Sequence, residues 1–252
     1  MARTVHRQRA SAAGLPAPAA RVPIPRGVAA WLAVFPYLVL AGCAALILAA
    51  LAIQAVFGIP VSELTRDPAT VAAVPAYTGA ISYVGIVLWC CAASVCIFSA
   101  VILWHQGAER RLTLFLLLGG VATAYLMLDD LLLLHEVVYP KLFRTETIDV
   151  INRTDAPIYL VYLAVAVAFF WRFRSVLSHT PSHLLIVAVV LFALSGVADS
   201  LSDLIGADRS PRSRYFPLED GLKLLGIGLW CSYFIRVCLE RMLSATAPTT
   251  RG

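Results

Sequence analysis

The sequence predicts an all-α membrane protein, a bundle of six transmembrane helices with both termini in the cytoplasm. Its 252 residues are 60% hydrophobic and 14% charged, whereas a soluble domain has about 25% charged residues. The apolar residues lie in six continuous runs, and a helix needs about 20 such residues to cross a hydrocarbon core. Because the runs lack the alternation of lipid-facing and lumen-facing residues that β-strands show, helices are favoured over a β-barrel.

The predicted spans are separated by polar or proline-containing segments. In order, they are Val28 to Phe57, Tyr77 to Trp104, Leu112 to Glu136, Ala156 to Phe173, Leu184 to Ile205 and Phe216 to Val237. Residues 1–27 carry five arginines among prolines and alanines and cannot bury a core, so we predict a disordered tail that does not bind nucleic acid. Residues 28–237 form the transmembrane domain, and residues 238–252 form a short cytoplasmic tail.

The orientation of the chain in the membrane is predicted from the basic residues in the loops. The side that holds both termini carries twelve lysines and arginines, and the opposite side carries seven. The positive-inside rule therefore places both termini in the cytoplasm. Eighteen arginines against two lysines, with abundant alanine, valine and leucine, are typical of a bacterial gene of high GC content, and we predict a multi-pass protein of the cytoplasmic membrane.

Ionisable residues within the apolar runs are the main functional signal. Such groups are costly at membrane depth and usually mark ligand, ion or proton sites. They occur in the third, fifth and sixth spans: Asp129, Asp130, His135, Glu136, Asp199, Asp203, Glu219, Asp220 and Lys223. At a rise of about 1.5 Å per residue, all three groups lie in the outer quarter of a core about 30 Å thick. They are therefore predicted to converge at one depth.

Helical spacing predicts which of these residues share a face. Residues three, four or seven positions apart lie on one side of a helix. Three stripes follow from this rule: Tyr125, Asp129, Leu132 and Glu136; Ser195, Asp199, Ser202 and Asp203; and Glu219, Lys223, Gly226 and Trp230. Asp130 and His135 point to other sides of a regular third helix, so at most one of them is expected to join the site without a helix distortion.

The predicted site holds seven carboxylates and one lysine, so their charge must be offset. The first hypothesis is a divalent metal, with Asp129, His135, Asp199 and Asp203 as ligands, because carboxylates and imidazole bind zinc, manganese and iron. The second is a set of shared protons, as in coupled transporters. The third is structural pairing with the lysines and arginines of the outer loops.

The metal hypothesis implies a hydrolase in which a bound metal activates water against a lipid or amphipathic substrate. Its candidate catalytic residues are Glu136, Glu219, Asp220 and Lys223. The alternatives are a small proton- or cation-coupled transporter or channel, and a non-enzymatic membrane protein with a structural acidic cluster. The expected partners are the lipid bilayer and a lipid or small-molecule substrate. The six cysteines show no CxxC spacing and are predicted to be packing residues.

Overall fold

The computed structural model describes residues 26–66, 68–139, 156–204 and 215–246, and these are helical apart from short connections. The chain divides into two compact units, Met1–Ala76 and Tyr77–Gly252. The tail predicted for residues 1–27 lies outside the described residues except for its last two positions, which already belong to the first helix. Residues 247–252 of the predicted carboxyl tail also lie outside them.

The first unit contains one long helix and two short ones, α1 (Arg26–Phe57), α2 (Val61–Thr65) and α3 (Pro68–Val71). Helix α1 ends where Gly58 adopts φ +71°, a backbone conformation that glycine accepts without strain. The N–H of Gly58 donates to the Gln54 carbonyl at 3.0 Å. The Gln54 side-chain oxygen accepts a bond from the Val61 N–H at 2.8 Å, which joins α1 to α2.

The second unit contains the remaining helices, which are α4 (Ala80–His105), α5 (Arg110–Leu132), α6 (Ala156–Arg172), α7 (Arg174–Leu177), α8 (Ser182–Leu204) and α9 (Tyr215–Thr246). A π-helical turn, Leu134–Val138, follows α5. Helix α9 continues beyond the predicted limit at Val237, and Arg236 Nε donates to Glu240 Oε1 at 2.8 Å. An i,i+4 ion pair of this kind supports a helix that extends past its apolar segment.

Within the described ranges, five helices are long and apolar enough to cross a membrane: Pro36–Phe57, Ala80–His105, Arg110–Leu132, Ser182–Asp199 and Glu219–Ala245. They agree with five of the six predicted spans. The fourth predicted span is α6, which has 17 residues and is about 26 Å long at 1.5 Å per residue. It is thus shorter than a typical hydrocarbon core, and six spans and the cytoplasmic orientation of the termini stay predictions. Large apolar side chains such as Leu46 and Leu225 are 74% and 62% exposed, as expected when lipid is the solvent.

Aromatic side chains and small residues form the core of the second unit. The ring of Phe115 on α5 stacks on Phe169 of α6 and Phe234 of α9, with centroids 5.4 and 6.0 Å away. Cys96 and Cys238 are fully buried in the same core, as predicted for packing cysteines, whereas Cys43, Cys90 and Cys91 are exposed. The bundle therefore fixes α4, α5 and α9 against one another.

Close contact between α8 and α9 depends on Gly226. A Cβ atom at this position would lie 2.6 Å from Phe192 Cε1 and 3.2 Å from the Ala188 carbonyl oxygen, whereas a Cβ at Gly228 would meet nothing within 4 Å. We expect Gly226→Ala to lower the free energy of unfolding by about 1–3 kcal/mol because the backbone of α8 cannot move aside easily. The matched variant Gly228→Ala should raise it by about 0.5–1 kcal/mol. Unfolding in mixed micelles measures both, and equal effects would contradict close packing at Gly226.

Candidate functional site

Asp129 and His135 form a buried pair at the carboxyl end of α5. Their side chains meet at 2.7 Å between Asp129 Oδ2 and His135 Nδ1, and the His135 main-chain N–H donates to Asp129 Oδ1 at 3.1 Å. Only 3% of Asp129 and 5% of His135 are exposed. Both carboxylate oxygens therefore accept bonds from the same residue, and this fixes the orientation of the imidazole.

A break in the helix creates this pair. In a regular α-helix, side chains six positions apart point about 120° away from each other, which is why the sequence predicted that His135 lies on another side from Asp129. Leu133 instead adopts φ +51°, and its N–H donates to the Asp129 carbonyl. The π-helical turn that follows carries His135 back toward α5. The structure therefore contains the helix distortion that His135 needs in order to join Asp129.

Asp130, the next residue, is held by two other helices. Lys223 Nζ of α9 lies 2.6 Å from Asp130 Oδ1, and Trp89 Nε1 of α4 donates to Asp130 Oδ2 at 2.9 Å. The side chain of Asp130 is 12% exposed and that of Lys223 is 34% exposed. Asp130 thus faces the bundle as well, although regular spacing predicted that only one of Asp130 and His135 would join Asp129.

Asp199 of α8 is linked to His135 through Tyr159. The Tyr159 hydroxyl of α6 donates to Asp199 Oδ2 at 3.1 Å, and the Tyr159 ring lies 5.8 Å from the His135 ring between centroids. The Ser195 hydroxyl donates to the Glu219 main-chain carbonyl at 3.0 Å, which ties α8 to α9. Residues of α5, α6, α8 and α9 therefore meet at one end of the second unit.

Three tyrosines form a hydroxyl cluster near the same end. The Tyr125 hydroxyl lies 2.8 Å from the Tyr139 hydroxyl and 3.3 Å from the Tyr162 hydroxyl. The hydrogen bond with Tyr125 raises the pKa of Tyr139, which follows the π-helical turn, to about 12. The Tyr139 phenol therefore stays protonated at neutral pH and can both donate and accept a hydrogen bond.

The structure places the predicted site residues in different surroundings. Asp129 contacts His135, Lys223 contacts Asp130, and Asp199 contacts Tyr159. Asp220 is exposed on α9. The side chains of Glu136 and Asp203 lie outside the described residues. In the part of the chain that the structure describes, no three His, Cys, Asp or Glu side chains come close enough together to hold a metal ion.

Trp89 and Tyr159 contact the predicted site residues, and the sequence did not indicate either one. Both are neutral aromatic residues in apolar runs, where packing is their usual role. Their only distinguishing signal is a polar atom on the ring, because a buried indole N–H or phenol usually finds a hydrogen-bond partner. A search for aromatic donors at the depth of Asp130 and Asp199 would have found them.

Comparisons with known proteins give one family. No curated protein and no solved structure matches this chain. A family model described as "Domain of unknown function (DUF8692)" matches residues 37–237, which include α4 to α8, most of α1 and α9, and every polar residue of the site described above. Because this match covers most of the sequence, the chain, which has the apolar helices of a membrane protein, belongs to the DUF8692 family, whose description assigns no function.

Proposed function

We propose that this protein is a proton-coupled transporter of a small solute and that the Asp129–His135 pair carries the proton. The observation behind this proposal is the 2.7 Å contact between a buried carboxylate and a buried imidazole. Histidine is the side chain whose ordinary pKa lies between pH 5 and 8. A proton taken up on this imidazole changes the charge of a dry site, so the two forms favour different arrangements of the surrounding helices.

The neighbouring ion pair, Asp130–Lys223, supports the proposal because it differs from the Asp129–His135 pair. Asp130 is paired with Lys223, and a lysine ammonium normally keeps its charge through the physiological pH range. Two adjacent carboxylates on α5 thus face one partner of fixed charge and one partner that titrates. The fixed pair holds α5 against α9, and the titrating pair can change its charge without loss of this anchor.

The aromatic residues supply a path for the proton. Proton relays in membrane proteins use chains of acidic, imidazole and hydroxyl groups. Tyr159 contacts both the His135 ring and Asp199, and the hydroxyls of Tyr125, Tyr139 and Tyr162 lie within hydrogen-bonding distance in series. In this proposal Tyr159 places Asp199 close to the Asp129–His135 pair as a further proton acceptor, and the three tyrosine hydroxyls form a hydrogen-bonded series at the same end of the bundle.

A metal-dependent hydrolase is the second candidate, and the same contact favours it. A carboxylate on Nδ1 leaves Nε2 as the basic nitrogen of a neutral histidine, the arrangement that orients many metal-binding imidazoles. Asp129 would then orient the ligand His135, and Asp199 and Asp203 would supply further ligands. Glu136, Glu219, Asp220 and Lys223 remain the candidate catalytic residues under this hypothesis.

Titration of His135 tests the proposal. We expect nitrogen NMR of the labelled protein to show an imidazole that titrates between pH 5 and 8 and that is absent in His135→Asn. Asp129→Asn should change its midpoint. In proteoliposomes, dissipation of a pH gradient should depend on an added solute from a panel of amino acids, sugars and organic cations, and His135→Asn should abolish that flux.

The outcomes separate the two candidates. An imidazole at position 135 that does not titrate would refute the proton-carrying role. Titration without solute-dependent flux would leave a proton-binding site and count against transport. Stoichiometric metal in the purified protein that is lost in His135→Asn, together with hydrolysis of a lipid substrate, would favour the hydrolase instead.

A further inference from the structure

A cavity of about 280 Å³ opens at the other end of the second unit, between the carboxyl end of α6 and the first turns of α8. Its apolar wall includes Phe170, Leu185 and Ile186. Leu185 is buried, whereas Ile186 is 59% exposed, so the cavity reaches the outer surface of the bundle. An apolar cavity of this size holds part of a hydrocarbon chain.

Polar groups line the same cavity. They are Arg174, which is exposed, and the hydroxyls of Ser178 and Ser182. Within the described ranges, Arg174 makes no ion pair, and its guanidinium lies 5.2 Å over the ring of Trp171. Trp171 is 72% exposed, as is typical of a residue at the boundary between hydrocarbon and headgroups. A cation at headgroup depth is thus available beside an apolar cavity.

The backbone around the cavity is held in place from two sides. Arg111 of α5 donates to the Arg172 carbonyl at 3.0 Å, and Arg241 of α9 donates to the His179 carbonyl at 3.0 Å. These bonds fix the connection from α6 to α8, which includes α7. A cavity that exists before its ligand arrives loses less conformational entropy on binding.

The charge at this end of the unit is positive. The arginines there, among the described residues, are Arg110, Arg111, Arg172, Arg174, Arg236 and Arg241, against the acidic residues Glu109 and Glu240. This end is also the predicted cytoplasmic side, where anionic lipids give the membrane surface a negative potential. A negatively charged ligand is therefore attracted to this surface.

From these features we propose that the cavity binds an anionic phospholipid. The phosphate contacts the Arg174 guanidinium and the Ser182 hydroxyl at the first residue of α8, and an acyl chain enters the cavity beside Phe170 and Ile186. The Ser178 hydroxyl already donates to the Ser175 carbonyl at 3.0 Å, so it adds at most an acceptor. Basic pockets between transmembrane helices are known to hold such headgroups. This site is separate from the Asp129–His135 pair and does not depend on its function.

Lipid binding to the full chain tests this site. Native mass spectrometry of the detergent-purified protein, with phosphatidylglycerol or phosphatidylcholine added, gives an apparent affinity for each lipid. We expect preference for phosphatidylglycerol and a loss of about tenfold in that affinity for Arg174→Ala, as for removal of one charge-assisted hydrogen bond. Arg236→Ala is the matched control, because it removes the same charge at the same end but does not line the cavity.

A second variant tests the cavity separately from the charge. Ile186→Trp fills the apolar part and should lower phosphatidylglycerol binding while Arg174 is intact. Equal binding of the two lipids, or equal losses in Arg174→Ala and Arg236→Ala, would show general attraction to a basic surface and overturn the proposal. Displacement of phosphatidylglycerol by millimolar inorganic phosphate would overturn it too, because the site would then bind a soluble anion.

Discussion

Replacing Lys223 by methionine should lower the free energy of unfolding by about 3 kcal/mol, because it leaves the Asp130 carboxylate without its cation in a mostly buried position. Methionine keeps much of the volume of the lysine side chain, so the loss reports charge more than packing. Asp130→Asn in the same chain should restore most of the stability, since the amide carries no charge. Unfolding of the two single variants and the double variant in mixed micelles measures the coupling energy.

The exposed pair Arg236–Glu240 provides the control for this experiment. Its side chains are 57% and 51% exposed, so Arg236→Gln should change the stability by less than about 1 kcal/mol. If Lys223→Met were no more destabilising than this control, the Asp130–Lys223 pair would not anchor α5 to α9. An additive double variant would lead to the same conclusion, because coupled residues give a non-additive result.

The contact between the third and sixth predicted spans at Asp130 and Lys223 could be anticipated from the sequence, because the rise of a helix and the positions of charges within apolar runs place both residues at one depth. Asp130 and Lys223 lie 93 positions apart in the printed sequence, and they meet as their predicted depths require. The membrane makes this step reliable, since it confines the helices to one direction. In a soluble protein the same spacing would leave the depth undefined.

The contact between Asp129 and His135 could not be predicted, because it depends on the backbone conformation of one residue, Leu133. Positions 131 to 134 are all leucine, and neither glycine nor proline marks the break at Leu133. Leucine rarely adopts a positive φ, so local sequence favoured a continuous helix and placed His135 away from Asp129. The buried contact between these two side chains, together with the bond from the His135 N–H, offsets the local preference.

The two ends of the second unit carry different kinds of polar groups. One end has the buried pair Asp129–His135 and the ion pair Asp130–Lys223, so each of the two carboxylates of α5 has a nitrogen partner. The other end has an apolar cavity lined by the exposed Arg174, with further arginines at the same end. A partnered carboxylate inside the bundle suits the proposed proton site, whereas exposed arginines at the membrane boundary suit a lipid headgroup. Variants at one end are thus expected to leave the other unchanged.

Leu133→Pro should lower the free energy of unfolding by about 3 kcal/mol and shift the titration midpoint of His135 as Asp129→Asn does, because proline fixes φ near −65° and has no N–H. Leu133 has φ +51°, and its N–H donates to the Asp129 carbonyl, so proline is incompatible with both features. Without the left-handed conformation at position 133, the chain after α5 cannot bring His135 back to Asp129. Unfolding in mixed micelles and nitrogen NMR of the histidines measure the two effects.

Leu133→Gly is the matched variant, because it removes the same side chain but accepts a positive φ without strain. The leucine side chain is 44% exposed, so its loss should change the stability by no more than about 1 kcal/mol, offset in part by relief of the strained φ. The titration midpoint of His135 should stay that of the unchanged protein in this variant. If proline and glycine at position 133 had the same effect on both measurements, the left-handed residue would not be what holds the Asp129–His135 pair together, and the proposed proton site would need another origin.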